Sequence, residues 1–295
     1  MIARRRRPPS PNDRRGPLVA WLRAHGRRVI AVCRRVIAVC RQRSNRPARR
    51  RAVRGRGRVD HAPPIKEPPI AARDLADASV LVVGATGGLG SRISQQLAKR
   101  GAALTLVGST AEHVEAVDVD GEMLVHDMRL PSNVDAAVDA AVEAHGRLDV
   151  VINAAGVVAF GAAAELSSDT VEDLFLLNTF MPIMLAQSAL RHLGDGGVIV
   201  NISAVVAERP MPGMAAYSAS KAALTAFDQA LAREVRRDGI RVLDVRPPHT
   251  ETDLADHAIA GTPPGPPGGL DPDDVAARIV QAIAEDEADL PSDAF

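Results

Sequence analysis

Hydrophobic and polar positions alternate between two periods along the chain from residue 71 to residue 295. Short, continuously apolar runs bounded by glycine or polar residues are typical of strands that are buried on both faces. Between these runs, apolar residues recur every three or four positions, as expected for helices that bury one face. The apolar runs predict strands at 79–83, 104–107, 122–125, 148–152, 198–202 and 240–245.

The intervening segments predict five helices. They span 89–100, the stretch from Ser132 to Gly146, 169–193, 217–237, and a last helix opened by Asp271 and Pro272. Ser132 and Asp271 are the predicted N-caps, and glycines follow several of the helices. Strands that alternate with helices predict an α/β fold, a Rossmann-type doubly wound parallel sheet in a single domain over 71–295. Residues 249–270 are expected to be irregular, without a long lid helix, and a seventh edge strand is expected to be short or absent.

The first seventy residues have a different composition. They hold 20 Arg and one Lys against three acidic residues, a net charge of +18, whereas residues 71–295 carry −18, so the formal charge of zero is a cancellation. The heptapeptide RRVIAVC occurs twice, at 27–33 and 34–40, and favours a basic amphipathic helix. A nucleic-acid-binding arm, a membrane-surface helix and a targeting peptide are alternatives. Runs of like charge favour a disordered or partly helical leader over 1–70.

Composition excludes several classes of protein. The apolar runs are shorter than the roughly 18–20 residues of a transmembrane helix. Both cysteines, Cys33 and Cys40, lie in the leader, so residues 71–295 contain no disulfide framework and no cysteine-based zinc site. This cysteine usage predicts a reducing, cytoplasmic location, and no metal site is predicted.

A glycine-rich turn follows the first predicted strand. Residues 84–90 read GATGGLG and open a helix, so the backbone can approach a pyrophosphate closely beside a helix N-terminus. A purely structural strand–helix turn is the alternative. The second strand is followed by Ser109 and Thr110, with no acidic residue to accept hydrogen bonds from the ribose 2′-hydroxyl of NAD. Their hydroxyls can bind a 2′-phosphate, which weakly favours NADP over NAD; a helix cap is the alternative role.

The candidate chemistry lies in the sequence YSASK, residues 217–221. Tyr217 and Lys221 are four apart and share one helix face, where an ammonium group lowers the pKa of a phenol from about 10. Such a tyrosine can exchange a proton with a substrate oxygen, and Ser203 follows the fifth strand, where it can bind the same oxygen. A surface pair is the alternative. Tyr217 is the only tyrosine and Lys221 one of three lysines, which favours a functional role.

Taken together, the motifs resemble the short-chain dehydrogenase/reductase family over about residues 77–286. They are VVGATGGLG, HDM at 126–128, NAAG, LLNTF around Asn178, VIVNIS, YSASK and RPPHTET. The resemblance implies an NAD(P)-dependent oxidoreductase in which Tyr217 is the catalytic acid/base and Ser203 polarises the substrate. It also implies that Lys221 binds the nicotinamide ribose and depresses the tyrosine pKa, and that Asn178 holds a water in a proton relay.

The same resemblance implies a set of cofactor-binding positions along the strand ends. They are Gly84, Thr86, Gly88, Leu89, Gly90, Ser109, Thr110, Asp127, Met128, Asn153, Ala154, Ala155, Gly156, Tyr217, Lys221, Pro247, Thr250 and Thr252. Four positions depart from the family pattern. Val83 replaces a threonine whose hydroxyl binds the strand that ends at Asn153, Ala154 replaces an asparagine, and Pro248 replaces a glycine. Ser109 stands where NADP-preferring members often carry arginine.

The expected partners follow from the resemblance. They are a small-molecule carbonyl or alcohol substrate and further copies of the chain, as a dimer or tetramer; no nucleic-acid partner is expected for the folded domain. The alternative function is a non-catalytic NAD(P)-binding regulatory protein of the same fold. The complete set of Asn178, Ser203, Tyr217 and Lys221 weighs against that alternative.

Overall fold

The computed structural model describes residues 74–115, 117–265, 268–285 and 287–295. Within these residues, seven parallel strands form one sheet. The strands are β1 (Ser79–Val83), β2 (Ala103–Gly108), β3 (Glu122–Val125), β4 (Val150–Asn153), β5 (Val198–Ile202), β6 (Arg241–Val245) and β7 (Asp289–Leu290). The expected doubly wound sheet is confirmed, and the seventh strand is short. The expectations for the leader fall outside the described residues.

The strand order places a crevice at the centre of the sheet. The order is β3-β2-β1-β4-β5-β6-β7, so the chain reverses its direction of winding between β1 and β4. The two strands are in register, and Val83 at the end of β1 lies opposite Asn153 at the end of β4. In doubly wound sheets, ligands bind outside the carboxyl ends of the strands at this reversal.

Helices cover both faces of the sheet. They are α1 (Gly88–Lys99), α2 (Ala111–Glu115), α3 (Pro131–His145), α4 (Ser168–Phe175), α5 (Met181–Ala189), α6 (Ala215–Glu234) and α7 (Pro272–Ala284). On one face, Ile93 of α1 and Ile279 of α7 pack against the even-numbered residues of β1. On the other face, Val138 of α3 and Leu185 of α5 pack against the odd-numbered ones. Burial on both faces explains why the strands are continuously apolar.

Two helix predictions need correction. Ser132 is not an N-cap: α3 begins at Pro131 after Leu130, and no side chain caps it. Proline has a helical φ and no N–H to satisfy, so it occupies the first helical position and moves the start of the helix forward. The predicted helix over 169–193 is interrupted by a π-helical turn, Leu176–Phe180, and α5 ends at Ala189.

The remaining segments agree with the sequence pattern or extend it. The short helix α2 was not predicted, whereas Asp271 caps α7 as expected by accepting a hydrogen bond from the backbone N–H of Asp273 at 2.7 Å. In the described part of 249–270, the chain forms turns and no helix. Among the helices that the structure describes, none is both long and apolar enough to cross a membrane.

Candidate active site

The glycine turn brings the end of β1 into contact with the chain after β4. Gly84 has φ +80°, and a Cβ atom there would lie 2.6 Å from the backbone nitrogen of Ala155. A Cβ on Gly90 would lie 2.0 Å from the carbonyl oxygen of Gly84. Both positions therefore require glycine, and the turn folds tightly beneath the first turn of α1.

The start of α1 offers free backbone donors to an anion. Gly87 precedes the helix without a side-chain cap, and no acidic residue lies in its first turn. The first N–H groups of a helix have no partner within it, and the helix dipole makes this end positive. This end of α1 opens into a cleft of about 490 Å³. Its lining includes Thr86, Gly88, Ser91, Arg92 and Thr252.

These residues fit the diphosphate of a dinucleotide cofactor. The glycines permit close approach, the helix supplies N–H donors, and Arg92 supplies a positive charge beside them. A Cβ on Gly88 would lie 2.6 Å from Cβ of Thr252, so the chain after β6 closes over the turn. Arg92 was missed by sequence reasoning, although its position in the first turn after the glycines was the available signal. The cleft also contains acidic side chains: Glu251, Asp253 and Asp256.

The predicted adenosine-side residues lie at the ends of β2 and β3. Ser109 is exposed, and Oγ1 of Thr110 accepts a hydrogen bond from the backbone N–H of His113 at 3.4 Å, which matches the alternative role of a helix cap. The carboxylate of Asp127 accepts hydrogen bonds from Nε and Nη2 of Arg129 at 2.9 and 2.8 Å. This side-chain hydrogen bond lowers the pKa of Asp127. The Arg129 partner was not foreseen.

Asn178 joins three segments at the π-helical turn. Its Oδ1 accepts a hydrogen bond from the backbone N–H of Val157 at 2.9 Å, and its Nδ2 donates to the Val157 carbonyl at 2.9 Å and to Oγ of Ser220 at 3.1 Å. The side chain therefore connects the loop after β4 to helix α6. It is completely buried.

The backbone carbonyl of Asn178 lacks its ordinary α-helical donor. The residue four positions later is Pro182, which has no N–H. The hydrogen bonding shifts by one residue at this point, and the N–H of Met181 donates to the carbonyl of Leu176, five residues earlier. Because the amide side chain of Asn178 is occupied, this carbonyl is the group of Asn178 that fits the expected role of holding a water.

Ser203 lies immediately after β5 and is buried. Its Oγ donates a hydrogen bond to the carbonyl oxygen of Lys221 at 3.1 Å and accepts one from Oγ1 of Thr225 at 3.2 Å. Oγ1 of Thr225 also lies 3.4 Å from Oδ1 of Asp244 on β6. The sequence pattern did not indicate Thr225 or Asp244, because neither belongs to a recognised motif.

Lys221 is buried and tied to the end of β5. Its Nζ donates a hydrogen bond to the carbonyl oxygen of Ile202 at 2.8 Å. Burial lowers the pKa of Lys221 to about 8, against the opposing effect of the Asp244 and Asp228 carboxylates. The pKa of Asp228 itself is raised, first by burial and then by the charge of Asp244. These acidic groups were not identified from the sequence.

The expected depression of the tyrosine pKa is not observed in this structure. Tyr217 is 6% exposed and packs among apolar side chains, so burial raises the pKa of its phenol above 10. The ammonium group of Lys221, four residues away, donates to Ile202. Desolvation therefore outweighs the helical spacing in setting the acidity of Tyr217.

The structure brings three residues of the predicted catalytic set together around Gly156, namely Asn178, Ser203 and Lys221. A Cβ there would lie 3.0 Å from Oδ1 of Asn178 and 3.3 Å from Nζ of Lys221, so glycine leaves these groups close to each other. Ser203 joins them through the Lys221 carbonyl. Tyr217 occupies the preceding turn of the same helix. The arrangement places a phenol, a hydroxyl and an ammonium group at the chain segments that follow β4 and β5. Such groups can serve a carbonyl reduction.

Comparisons with known proteins show which family the sequence and fold resemble. A family model described as short chain dehydrogenase matches residues 78–262. An uncharacterized oxidoreductase of Methylorubrum extorquens is 35% identical over 227 residues, which cover 70% of this chain and 90% of that protein. A short chain dehydrogenase from Burkholderia cenocepacia, solved in complex with NADP, has a TM-score of 0.68 at 31% identity and covers 75% of this chain and 98% of its own. A short-chain dehydrogenase from Sphingobium yanoikuyae in complex with NADPH has a TM-score of 0.65 at 28% identity, and the match covers 72% of this chain and 87% of that one.

Because Tyr217 is the only tyrosine, the ultraviolet absorbance of phenolate reports on this group alone. Burial raises its pKa, so in the cofactor-free protein we expect no phenolate signal until the pH exceeds about 10. A pH titration followed by difference absorbance measures this, and Tyr217→Phe supplies the baseline. A full phenolate signal at about pH 9 would contradict the burial argument.

The loss of the family threonine at position 83 has a visible consequence. Nδ2 of Asn153, opposite Val83 in the sheet, is buried and has no hydrogen-bond partner among the described residues. We expect Val83→Thr to supply that partner. Val151→Thr is the matched control, because it introduces the same hydroxyl into the same apolar layer beside Leu81 and Ile199.

A satisfied buried hydrogen bond contributes about 1 kcal/mol. In urea unfolding, Val83→Thr should therefore be at least about 1 kcal/mol more stable than Val151→Thr. Equal destabilisation by the two substitutions would show that the amide of Asn153 does not need this partner.

Proposed function

The chain belongs to the short-chain dehydrogenase/reductase family of oxidoreductases, and we propose that it transfers a hydride between NAD(P)(H) and the carbonyl or secondary alcohol carbon of a small molecule. The observation that carries this proposal is the convergence of Asn178, Ser203 and Lys221 beside Tyr217, at the strand ends next to the glycine turn. We assign the activity to residues 71–295.

Tyr217 and the side chains around it carry out the proton transfer of the reaction, each in a different role. In reduction, the phenol of Tyr217 gives its proton to the substrate oxygen while Ser203 donates a hydrogen bond to the same oxygen. Lys221 holds a positive charge one helical turn away, which favours the phenolate that remains. The carbonyl of Asn178 holds the water through which the proton is replaced. Alcohol oxidation uses the same groups in reverse.

The cofactor is held by the residues around the crevice. When bound, its nicotinamide ring supplies or accepts the hydride. Gly84, Gly88 and the N–H groups at the start of α1 bind the diphosphate, and Arg92 adds a positive charge there. Thr250 and Thr252, after β6, close over the same region from the opposite side. Lys221 binds the nicotinamide ribose.

We propose NADP(H) as the preferred cofactor. The end of β2 presents the hydroxyls of Ser109 and Thr110, both exposed, and no carboxylate follows them directly to repel a 2′-phosphate. Two of the similar structures were solved with NADP and NADPH, respectively. Those are properties of the neighbours, and they support the same preference here.

Tyr217→Phe tests the catalytic assignment. Phenylalanine fills the same buried space but has no proton to donate, so we expect carbonyl reduction to fall at least about 100-fold while the dissociation constant for NADPH is unchanged. Ser218→Ala is the matched control, because it removes the neighbouring buried hydroxyl, which has no hydrogen-bond partner among the described residues. Turnover by Tyr217→Phe equal to that of the native protein would overturn the assignment.

Ser109→Asp tests the cofactor preference. A carboxylate at this position repels a 2′-phosphate, so the dissociation constant for NADPH should rise at least about 10-fold and that for NADH should change little. Ser109→Asn is a control of the same size without the charge. Fluorescence titration of the native protein and both variants with each nucleotide measures the six dissociation constants. A native protein that binds NADH more tightly than NADPH would contradict the preference.

A further inference from the structure

The catalytic tyrosine is enclosed by apolar side chains. Tyr217 packs in one buried cluster with Val158, Ala159, Phe160, Leu174 and Val206, and we call these six residues the Tyr217 cluster. The partly buried residues packed against it are also apolar, being alanines, valines and one methionine.

A segment of the chain after β6 covers the cluster. The backbone N–H of Phe160 donates to the carbonyl of Ala260 at 2.8 Å, and the N–H of Ile259 donates to the carbonyl of Val158 at 2.9 Å. Three of the large exposed hydrophobic side chains lie in the loops on this side: Met211, Leu254 and Ile259. Exposed apolar side chains therefore lie beside the Tyr217 cluster, and the same segment also carries the carboxylates of Asp253 and Asp256.

From this lining we infer that the substrate is an uncharged, mainly apolar ketone or secondary alcohol. This inference rests on the proposed function. A charged substrate would lose its hydration among these side chains without gaining a partner, which costs several kilocalories per mole. An apolar substrate instead replaces the contacts that the covering segment makes with the Tyr217 cluster. The acidic residues near the nucleotide cleft further disfavour an anionic substrate.

A matched pair of substrates tests the inference: the ethyl ester of an aromatic β-keto acid and the free carboxylate of the same acid. We expect kcat/KM for the ester to exceed that for the carboxylate at least about 100-fold. Ala258→Arg, which places a cation beside the cluster, should reduce this ratio at least about 10-fold. Val125→Arg, a substitution at an exposed apolar position on β3, should leave it unchanged.

The outcomes separate the inference from the proposed function. If the carboxylate is the better substrate, the inference is overturned while the oxidoreductase assignment remains. If no carbonyl compound, charged or neutral, is reduced although NADPH binds, the proposed function itself has failed. If Ala258→Arg leaves the ratio of ester to carboxylate unchanged, the residues beside the cluster do not contact the substrate and the inference is overturned.

A second, independent observation concerns the hydroxyl of Thr225. Oγ of Ser203 has one proton to donate, and in this structure the Lys221 carbonyl accepts it at 3.1 Å. The other close partner of Ser203 is Oγ1 of Thr225, which donates to it at 3.2 Å. Thr225 follows Lys221 by one helical turn on α6, so the helix delivers both groups to the serine.

The position of Thr225 is itself fixed by a residue of β6, Asp244. Its Oγ1 lies 3.4 Å from Oδ1 of Asp244, whose other oxygen accepts a hydrogen bond from Arg246. The guanidinium of Arg246 also contacts Glu208 at 2.5 Å and Asp289 at 2.7 Å. The single hydroxyl proton of Thr225 has two possible acceptors, Oγ of Ser203 at 3.2 Å and Oδ1 of Asp244 at 3.4 Å. The shorter distance and the pairing of Asp244 with Arg246 favour donation to Ser203.

We propose that Thr225 is a positioning residue for Ser203. By donating to Oγ, it fills an acceptor position of the serine, so that the serine's own proton can turn from the Lys221 carbonyl to the substrate oxygen. Without this donor, Ser203 is free to turn its oxygen toward other donors, and the fraction of time in which it donates to the substrate falls. This role does not involve contact between Thr225 and the substrate.

Three variants test the role. Thr225→Val keeps the side-chain shape and removes the hydroxyl, and we expect kcat to fall about 10-fold with an unchanged dissociation constant for NADPH. Thr225→Ser restores the hydroxyl and should recover kcat to within about 3-fold of the native value. In a Ser203→Ala background, Thr225→Val should change single-turnover reduction by less than about 2-fold, because its target is gone.

An equal loss in the native and Ser203→Ala backgrounds would assign Thr225 a merely structural role and overturn the proposal. So would an unchanged kcat in Thr225→Val. Circular dichroism establishes whether the variants fold. If Thr225→Val does not fold, Thr225→Ala is measured in the native and Ser203→Ala backgrounds instead, and an equal loss of activity in both would again overturn the proposal.

Discussion

The active site depends on the burial of one ammonium group at the end of β5. Lys221 is 4% exposed, and its Nζ is tied to the carbonyl of Ile202 at 2.8 Å, the last residue of that strand. A buried cation needs acceptors and opposite charge nearby, and these are the strand carbonyl and the carboxylates of Asp228 and Asp244. The same attachment fixes α6 against the sheet. As a result, Ser203 and Tyr217 reach the crevice together.

Sequence periodicity predicted the sheet well, because strands buried on both faces leave a continuous apolar signature. The bounds of β1, β3 and β5 agree with the predicted runs residue for residue. The residues that we propose to be catalytic were also indicated by the sequence, since their motifs follow the order of the strand ends. The contacts made by Thr225 and Asp244 were not, because they join segments 19 to 22 residues apart that only the folded sheet brings together.

The electrostatic environment was the least predictable part of the site. The spacing of Tyr217 and Lys221 correctly placed both side chains on one helix, but it led to a lowered tyrosine pKa that the structure does not show. Spacing along a helix describes which groups are neighbours. The pKa depends in addition on how much water the neighbouring segments exclude. Here Phe160 comes from a loop and Val206 from a three-residue 3-10 helix, and neither segment has a periodic signature in the sequence.

Local geometry also explains how an acidic domain can bind an anionic cofactor. Residues 71–295 carry a net charge of −18, and acidic side chains lie in the cleft itself. At physiological ionic strength, charges farther apart than about 8 Å are largely screened, so the net charge matters less than the groups in contact. At the start of α1 those groups are backbone N–H donors and Arg92, which also forms an ion pair with Asp273 at 3.4 Å. No acidic residue lies in the first turn of the helix, although the carboxylate of Asp253 approaches Gly88 from the chain after β6. The glycine turn contributes to this through its backbone, since a side chain at Gly84 would collide with the backbone of Ala155 and displace the turn that positions these donors.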